Sequence, residues 1–203
     1  FTSAVLQAAQ RMTTEHPQCT VELQVSAEFH KVVRGVADVA VRTVHLGEPS
    51  LIYRPVGNLA YGVFAAASYL QRFPDPSPAT VASVALLPPM DMLAQMRAAK
   101  AAGLERALIS VNSFAAQLES VKLGLGVAVL PRTVAKDLIE LFPHVRLPDM
   151  PVYLVTRPQA LKQPHIQSFF ALLEQGLREA LRHGQEENHR ASEQIANGTQ
   201  PTF

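Results

Sequence analysis

Apolar residues along the chain either alternate with polar ones or recur every three to four positions, and the two periods mark out a series of short elements. Val5, Leu6, Ala9 and Met12 space as one face of an amphipathic helix, opened by Thr2 or Ser3. That helix should end before His16-Pro17, because the residue preceding a proline disfavours the α conformation. Val21, Leu23 and Val25 alternate with Glu22 and Gln24, the pattern of a half-buried strand closed by Ser26. Residues 28–34 predict a short helix with Phe29, Val32 and Val33 inward and Gly35 as its stop. A buried strand over 38–42 follows, carrying a charge at each end. Extended stretches over 51–56 and 61–64 are split by Gly57-Asn58, and 65–70 reads as helix or turn. Three prolines in 73–80 mark a surface loop. A strand over 81–87, a helix over 90–102, a strand over 152–156 and a long helix over 164–182 complete the main elements. Residues 185–203 have almost nothing to bury and read as a tail.

One stretch carries the clearest alternation of element types. Residues 108–111 are a short apolar strand, followed by the helix-capping pair Asn112 and Ser113. Phe114, Leu118 and Val121 fall at i, i+4 and i+7, so they share a helix face. Gly124 stands where a helix C-terminus favours a residue tolerant of positive φ. Residues 127–130 are a second buried strand, and Pro131 suits the first turn of a further helix. Two strands joined through a helix predict a right-handed parallel βαβ unit. It would place Asn112 and Ser113 at a strand's C-terminal end, where open α/β sheets bind small polar ligands. Over the whole chain strands alternate with helices, so the expected class is α/β with mainly parallel sheets. The first helix has no strand before it, which suggests that residues upstream of Phe1 are missing from this sequence.

Composition changes the picture by exclusion. The chain has 203 residues and 48% hydrophobic content, enough for one large domain or two small lobes. The net charge of +1 predicts no strong pull toward nucleic acid or anionic membrane. Cys19 is the single cysteine, so no internal disulfide forms, and a lone thiol fits a reducing cytoplasm. No apolar run reaches the ~20 residues of a membrane helix, and the N-terminus lacks the parts of a signal peptide. The seven histidines form no metal-ligand spacing, and no nucleophile elbow or phosphate loop is present. No metal or cofactor is therefore expected. Gly124 and Gly126 sit between helix and strand, the reverse of a dinucleotide fingerprint, and read as a structural turn.

Five stretches together resemble the effector-binding domain of LysR-type transcriptional regulators. They are HPQCTVELQVS over 16–26, VVRGVADVAVR over 32–42, VGNLAYGVFAAASYL over 56–70, VNSFAAQLESVKLGLGVAVLP over 111–131, and PVYLVTRPQALKQPHIQSFFALL over 151–173. The third stretch resembles the family's crossing into a second lobe. The fourth is the nearest match, with the family's Gly-x-Gly and Leu-Pro, and the fifth resembles its return strand and final helix. The resemblance implies two Rossmann-like lobes joined by two crossing segments, as in periplasmic binding proteins of type 2. Lobe I would take residues 1–59 and 151–184, lobe II residues 60–150, and 185–203 the tail. The family's first strand of lobe I is absent from this sequence, and residues 88–106 carry no motif that aligns with it.

The resemblance also implies a function: a small effector binds between the lobes, and homodimers or tetramers pass the change to DNA through a winged helix-turn-helix outside this chain. On that reading the domain is a cytoplasmic regulator and no enzyme. The loops facing such a cleft would offer Thr2, Ser3, Ser26 and Arg42 from lobe I, and Met90, Asn112, Ser113 and Phe114 from lobe II. Arg42 is the charged candidate, since a guanidinium suits a carboxylate, and the effector expected from it is an anion. Each has a plainer alternative. The hydroxyls and Asn112 can be helix caps, Arg42 can pair with Glu48 or Asp38, and Phe114 and Met90 can be core. Exposed apolar faces for dimer contact are expected at Val32-Val33 or over 65–70. The alternative function is an extracytoplasmic solute-binding protein of the same architecture, with an enzyme on this fold a third class. A signal peptide upstream would favour the former, and a helix-turn-helix the regulator.

Overall fold

A computed structural model describes the backbone of residues 2–25, 30–88 and 90–196, with side chains up to residue 182 except those of His30 and Asp91. The chain forms two compact units. One takes residues up to Asn58 together with Met150–His183, and the other is built on Leu59–Asp149.

The first unit opens with helix α1 (Thr2–Glu15), which buries Ala4, Ala8 and Met12. This stripe at i, i+4, i+8 lies one step away from the predicted face, and Leu6 is 52% exposed. Small alanines let α1 lie close to the long C-terminal helix α6 (Pro164–Ala196), where a Cβ at Gly176 would stand 3.6 Å from the Ala4 carbonyl oxygen. Between them in sequence come the short helix α2 (His30–Val33) and strands β1 (Val39–Arg42) and β2 (Ile52–Leu59). Strand β8 (Met150–Thr156) returns from the second unit and inserts between β1 and β2, giving the order β1-β8-β2. β1 and β8 run antiparallel, with Val39 opposite Thr156 and Arg42 opposite Tyr153. Val32, Leu51 and Val155 form the core here, and Ile166, Phe170, Leu173, Leu177 and Leu181 of α6 are buried. The Thr156 hydroxyl donates to the Asp38 carbonyl at 2.7 Å, fixing the start of β1.

The second unit contains β3 (Tyr61–Ala65), α3 (Ala67–Arg72), β4 (Ser83–Leu86), α4 (Ala94–Ala101), β5 (Ala107–Val111), α5 (Phe114–Lys122), β6 (Ala128–Pro131) and β7 (Ile139–Leu141). β3 lies between β6 and β7, antiparallel to both. β4 pairs with β5 in parallel, and a parallel bridge from Ser83 to Val127 sets β4 beside the β6 strand as well. The βαβ unit read from 108–130 is therefore a crossover whose strands pair with β4 from either side. Phe64, Val84, Val121, Ala128 and Leu130 make its core. Gly124 has φ +71° at the end of α5, where Arg72 donates to its carbonyl. A Cβ on Gly126 would stand 2.6 Å from the Ala82 carbonyl oxygen, so that glycine admits the close approach of two backbones.

Several expectations change. Residues 21–25 form no strand among the described residues, because alternation makes a strand only where a partner backbone completes the ladder. The sheets are mixed: β1·β8, β3·β6 and β3·β7 are antiparallel and β4·β5 parallel, since the crossing strands run against their neighbours. Pro131 leads into a single 3-10 turn, Arg132–Val134, and then β7, because pairing to β3 outweighs the helix propensity of that stretch. The predicted tail continues α6 to Ala196, as extending a formed helix through Gln, Glu and Ala costs little. Val32, Ala65 and Tyr69 are buried, so the two stretches expected to offer exposed apolar faces serve the core instead. Ser26, and Glu28 and Phe29 at the start of the predicted second helix, lie outside the described residues.

Candidate functional site

In the first unit the polar candidates sit at element ends. Thr2 and Ser3 occupy the exposed first turn of α1, with no acidic residue there. The leading N–H groups of a helix have no intrahelical acceptor and carry partial positive charge, which favours an anion. Arg42 ends β1 and is half-buried. Thr2 and Arg42 both line one cavity of about 580 Å³, which Glu22, Lys31 and Asp38 also reach. The two ion-pair partners anticipated for Arg42 have other engagements. Asp38 pairs with Arg157 at 3.7 Å. The Glu48 carboxylate accepts from the Ser50 hydroxyl at 2.7 Å and its N–H at 3.2 Å, and this hydroxyl holds its pKa below the ordinary value. Lys31 donates to the Gln24 side chain at 3.0 Å.

In the second unit the candidates gather where β4 and β5 end. Ser113 caps α5, its hydroxyl oxygen accepting from the Ala116 N–H at 3.2 Å. A hydroxyl can still donate while its oxygen accepts in a cap, and the Asn112 side chain beside it is exposed. The Leu87 N–H donates to the Val111 carbonyl at 2.8 Å, so the turn Met90–Met92 follows β4 alongside Asn112. Met90 is half-buried, and Phe114 is 37% exposed, outside the core its spacing suggested. The structure thus brings Met90, Asn112 and Ser113 to one edge of the parallel β4·β5 pair, and Thr2 and Arg42 to one cavity.

Two buried amides escaped the sequence reading. Gln117 and Gln95 are 1% and 2% exposed. Gln117 donates to the Val84 carbonyl at 2.8 Å, tying α5 to β4, and Gln95 donates to the Pro148 carbonyl at 2.9 Å. The available signal was position: Gln117 stands one helical turn before Val121, on the inward face. Arg132 and Glu140 form a mostly buried ion pair that joins the start of the 3-10 turn to β7. Tyr61 is buried at the start of β3, and burial pushes its pKa up to about 12. Among the described residues no group of His, Cys, Asp or Glu side chains could hold a metal ion. No described helix is long and apolar enough to cross a membrane.

Comparison with known proteins gives a family match over most of the chain: the LysR substrate binding domain matches residues 2–178. No curated protein sequence matches. Among solved structures, the regulatory domain of CrgA, a LysR-type transcriptional regulator from Neisseria meningitidis, superposes with a TM-score of 0.73 at 15% identity, covering 85% of this chain and 91% of that one. The structure of CrgA itself gives a TM-score of 0.75 at 16% identity over 86% of this chain, which spans 64% of that one. The effector binding domain of QuiR in complex with shikimate gives 0.59 at 16% identity, covering 90% of each.

Proposed function

Because the chain belongs to the LysR substrate binding domain family, we propose that it is the part of a LysR-type transcriptional regulator that senses a small molecule. The observation that carries this reading is the family match, which runs from the first turn of α1 into α6. The effector on this reading is a small anion. In the first unit it meets the Arg42 guanidinium and the first turn of α1, with Thr2 and Ser3. In the second unit the contacts are Asn112 and Ser113, with Met90 and Phe114 beside them. Ser26 completes the proposed set. The domain acts by shifting a population: the effector favours one arrangement of the regulator over another, and only its differential affinity does work. DNA is contacted through a helix-turn-helix outside these residues, in a cytoplasmic homodimer or tetramer, and no reaction is catalysed.

Thermal shift against a panel of small carboxylates tests this, with shikimate included because the related QuiR domain was solved with it. A carboxylate present at ~100 times its dissociation constant should add about 2.7 kcal/mol of stability. A panel in which amines or neutral sugars stabilise the chain and no carboxylate does would overturn the anionic reading.

A further inference from the structure

In the second unit, residues of β4, α4 and β6 line a cavity of about 50 Å³. Val84, Met96, Ala99, Leu104 and Val127 supply apolar walls, and all five are buried. Lys100 also lines it and is exposed, so its flexible stem is the part of the wall that can swing aside to admit a molecule. Two uncharged polar side chains reach the cavity, Ser83 and Gln117. The Ser83 hydroxyl donates to the Arg106 carbonyl at 3.1 Å, so its hydrogen is committed. Gln117 is 1% exposed. Its nitrogen donates to the Val84 carbonyl, which can only accept, so the amide cannot be turned the other way round. The Gln117 oxygen has no hydrogen-bond partner among the described residues. A buried amide oxygen without a donor is costly, and native structures carry few of them.

The lining selects what would fit. A buried water needs several polar partners, and these walls offer one unused acceptor among apolar side chains. A carboxylate would reach only Lys100 and would leave the Gln117 oxygen unmet. An ammonium ion would shed its water with no carboxylate beside it, because no acidic residue lines the cavity. Size narrows the choice further. Benzene fills a cavity of ~150 Å³ and a water needs ~10–15 Å³, so this one holds roughly two to four non-hydrogen atoms. The geometry points to a binding site for a short aliphatic alcohol, whose hydroxyl donates to the Gln117 oxygen and whose carbons pack against Val84, Met96 and Val127. The inference is independent of the effector reading, since it uses neither the anion contacts at Asn112 and Ser113 nor any charged group. α4 starts just beyond the Met90–Met92 turn, so an occupant braces the helix that leads out of that turn.

The test titrates the methyl-labelled 203-residue chain with 1-propanol and follows it by NMR. The methyls of Met96, Val84 and Val127 should shift saturably, while those of Leu154 and Leu177 in the first unit stay in place. Gln117→Met keeps the volume and loses the acceptor, so it should bind 1-propanol about tenfold more weakly, the worth of one hydrogen bond, and bind xenon as well as the parent does. Ala99→Leu fills the space and should abolish the response to both. Propionate, of the same length but charged, should leave the three cavity residues unmoved. Shifts that rise without saturating, or that spread equally over both units, overturn the inference, because the alcohol would then act as a solvent. Equal affinity for 1-propanol in Gln117→Met and the parent overturns it too, as does a response to propionate that matches the alcohol's. A response that survives in Ala99→Leu would place the alcohol elsewhere and is equally fatal.

Discussion

Replacing Gln117 separates space from hydrogen bonding at the centre of the second unit. The side chain is 1% exposed and joins α5 to β4 through its bond to the Val84 carbonyl. It also borders a cavity of about 50 Å³ shared with Val84, Met96 and Val127. Gln117→Ala removes one hydrogen bond to a buried carbonyl, a loss of about 1–3 kcal/mol. It also removes the amide oxygen, which has no partner among the described residues, so much of that loss is offset. What remains is space: enlarging the cavity by roughly 70 Å³ costs about 1.7 kcal/mol at ~24 cal/mol per Å³. The alanine variant should therefore lose about 2–3 kcal/mol, or roughly 4–12 °C in Tm for a chain of this size. Gln117→Met keeps the volume and drops the unpartnered oxygen, and should lose about 1 kcal/mol or less. The sequence has no tryptophan, so far-UV circular dichroism during thermal unfolding is the suitable readout. A methionine variant as unstable as the alanine one would refute the reasoning, because the bond and not the space would then dominate.

Other outcomes follow from the same geometry. Arg42→Ala should weaken binding of a stabilising carboxylate about 10- to 100-fold in calorimetry, the range of a charge-assisted hydrogen bond, while the unliganded domain still folds. Unchanged affinity would remove Arg42 from the contacts. Gly126→Ala should destabilise by about 1–3 kcal/mol, because its Cβ would meet the Ala82 backbone oxygen and backbone cannot rotate away; chemical denaturation measures it. Tyr61 keeps its proton in the folded state up to about pH 12, whereas an unfolded tyrosine loses it near 10. The native state then binds more protons, so stability falls from pH 10 to 12, by about 2–3 kcal/mol from this group. Tyr61→Phe should flatten that part of the profile, and a variant with the wild-type slope would contradict it.

The parts of this fold that lie within one segment were legible in the sequence. The Ser113 cap, the Gly124 stop and the apolar side of α6 follow from local rules, and all three stand where the periodicity put them. The parts that depend on a distant partner were not. Residues 21–25 alternate as a strand would, yet among the described residues they have no ladder partner, whereas β1 has β8 beside it. Residues 139–141 could be helix by composition and are strand because β3 lies next to them. The candidate site divides in the same way. End positions such as Thr2, Arg42, Asn112 and Ser113 can be read from element boundaries. That Asp38 is held by Arg157, and that Gln117 is sealed beneath β4, depends on contacts more than thirty residues apart in the chain.

The insertion of β8 between β1 and β2 also dictates an order of assembly on the ribosome. Val39 waits for Thr156, more than a hundred residues later, before its ladder can close. The second unit's sheet strands β3 to β7 all lie between Leu59 and Asp149, so those sheets are complete while the first unit still lacks its middle strand and its covering helix. Synthesis at roughly 5–20 residues per second leaves the nascent first unit open for several seconds. During that interval the half of the protein made first is the half that folds last, and its bare β1 edge is where a chaperone or a misplaced strand would attach.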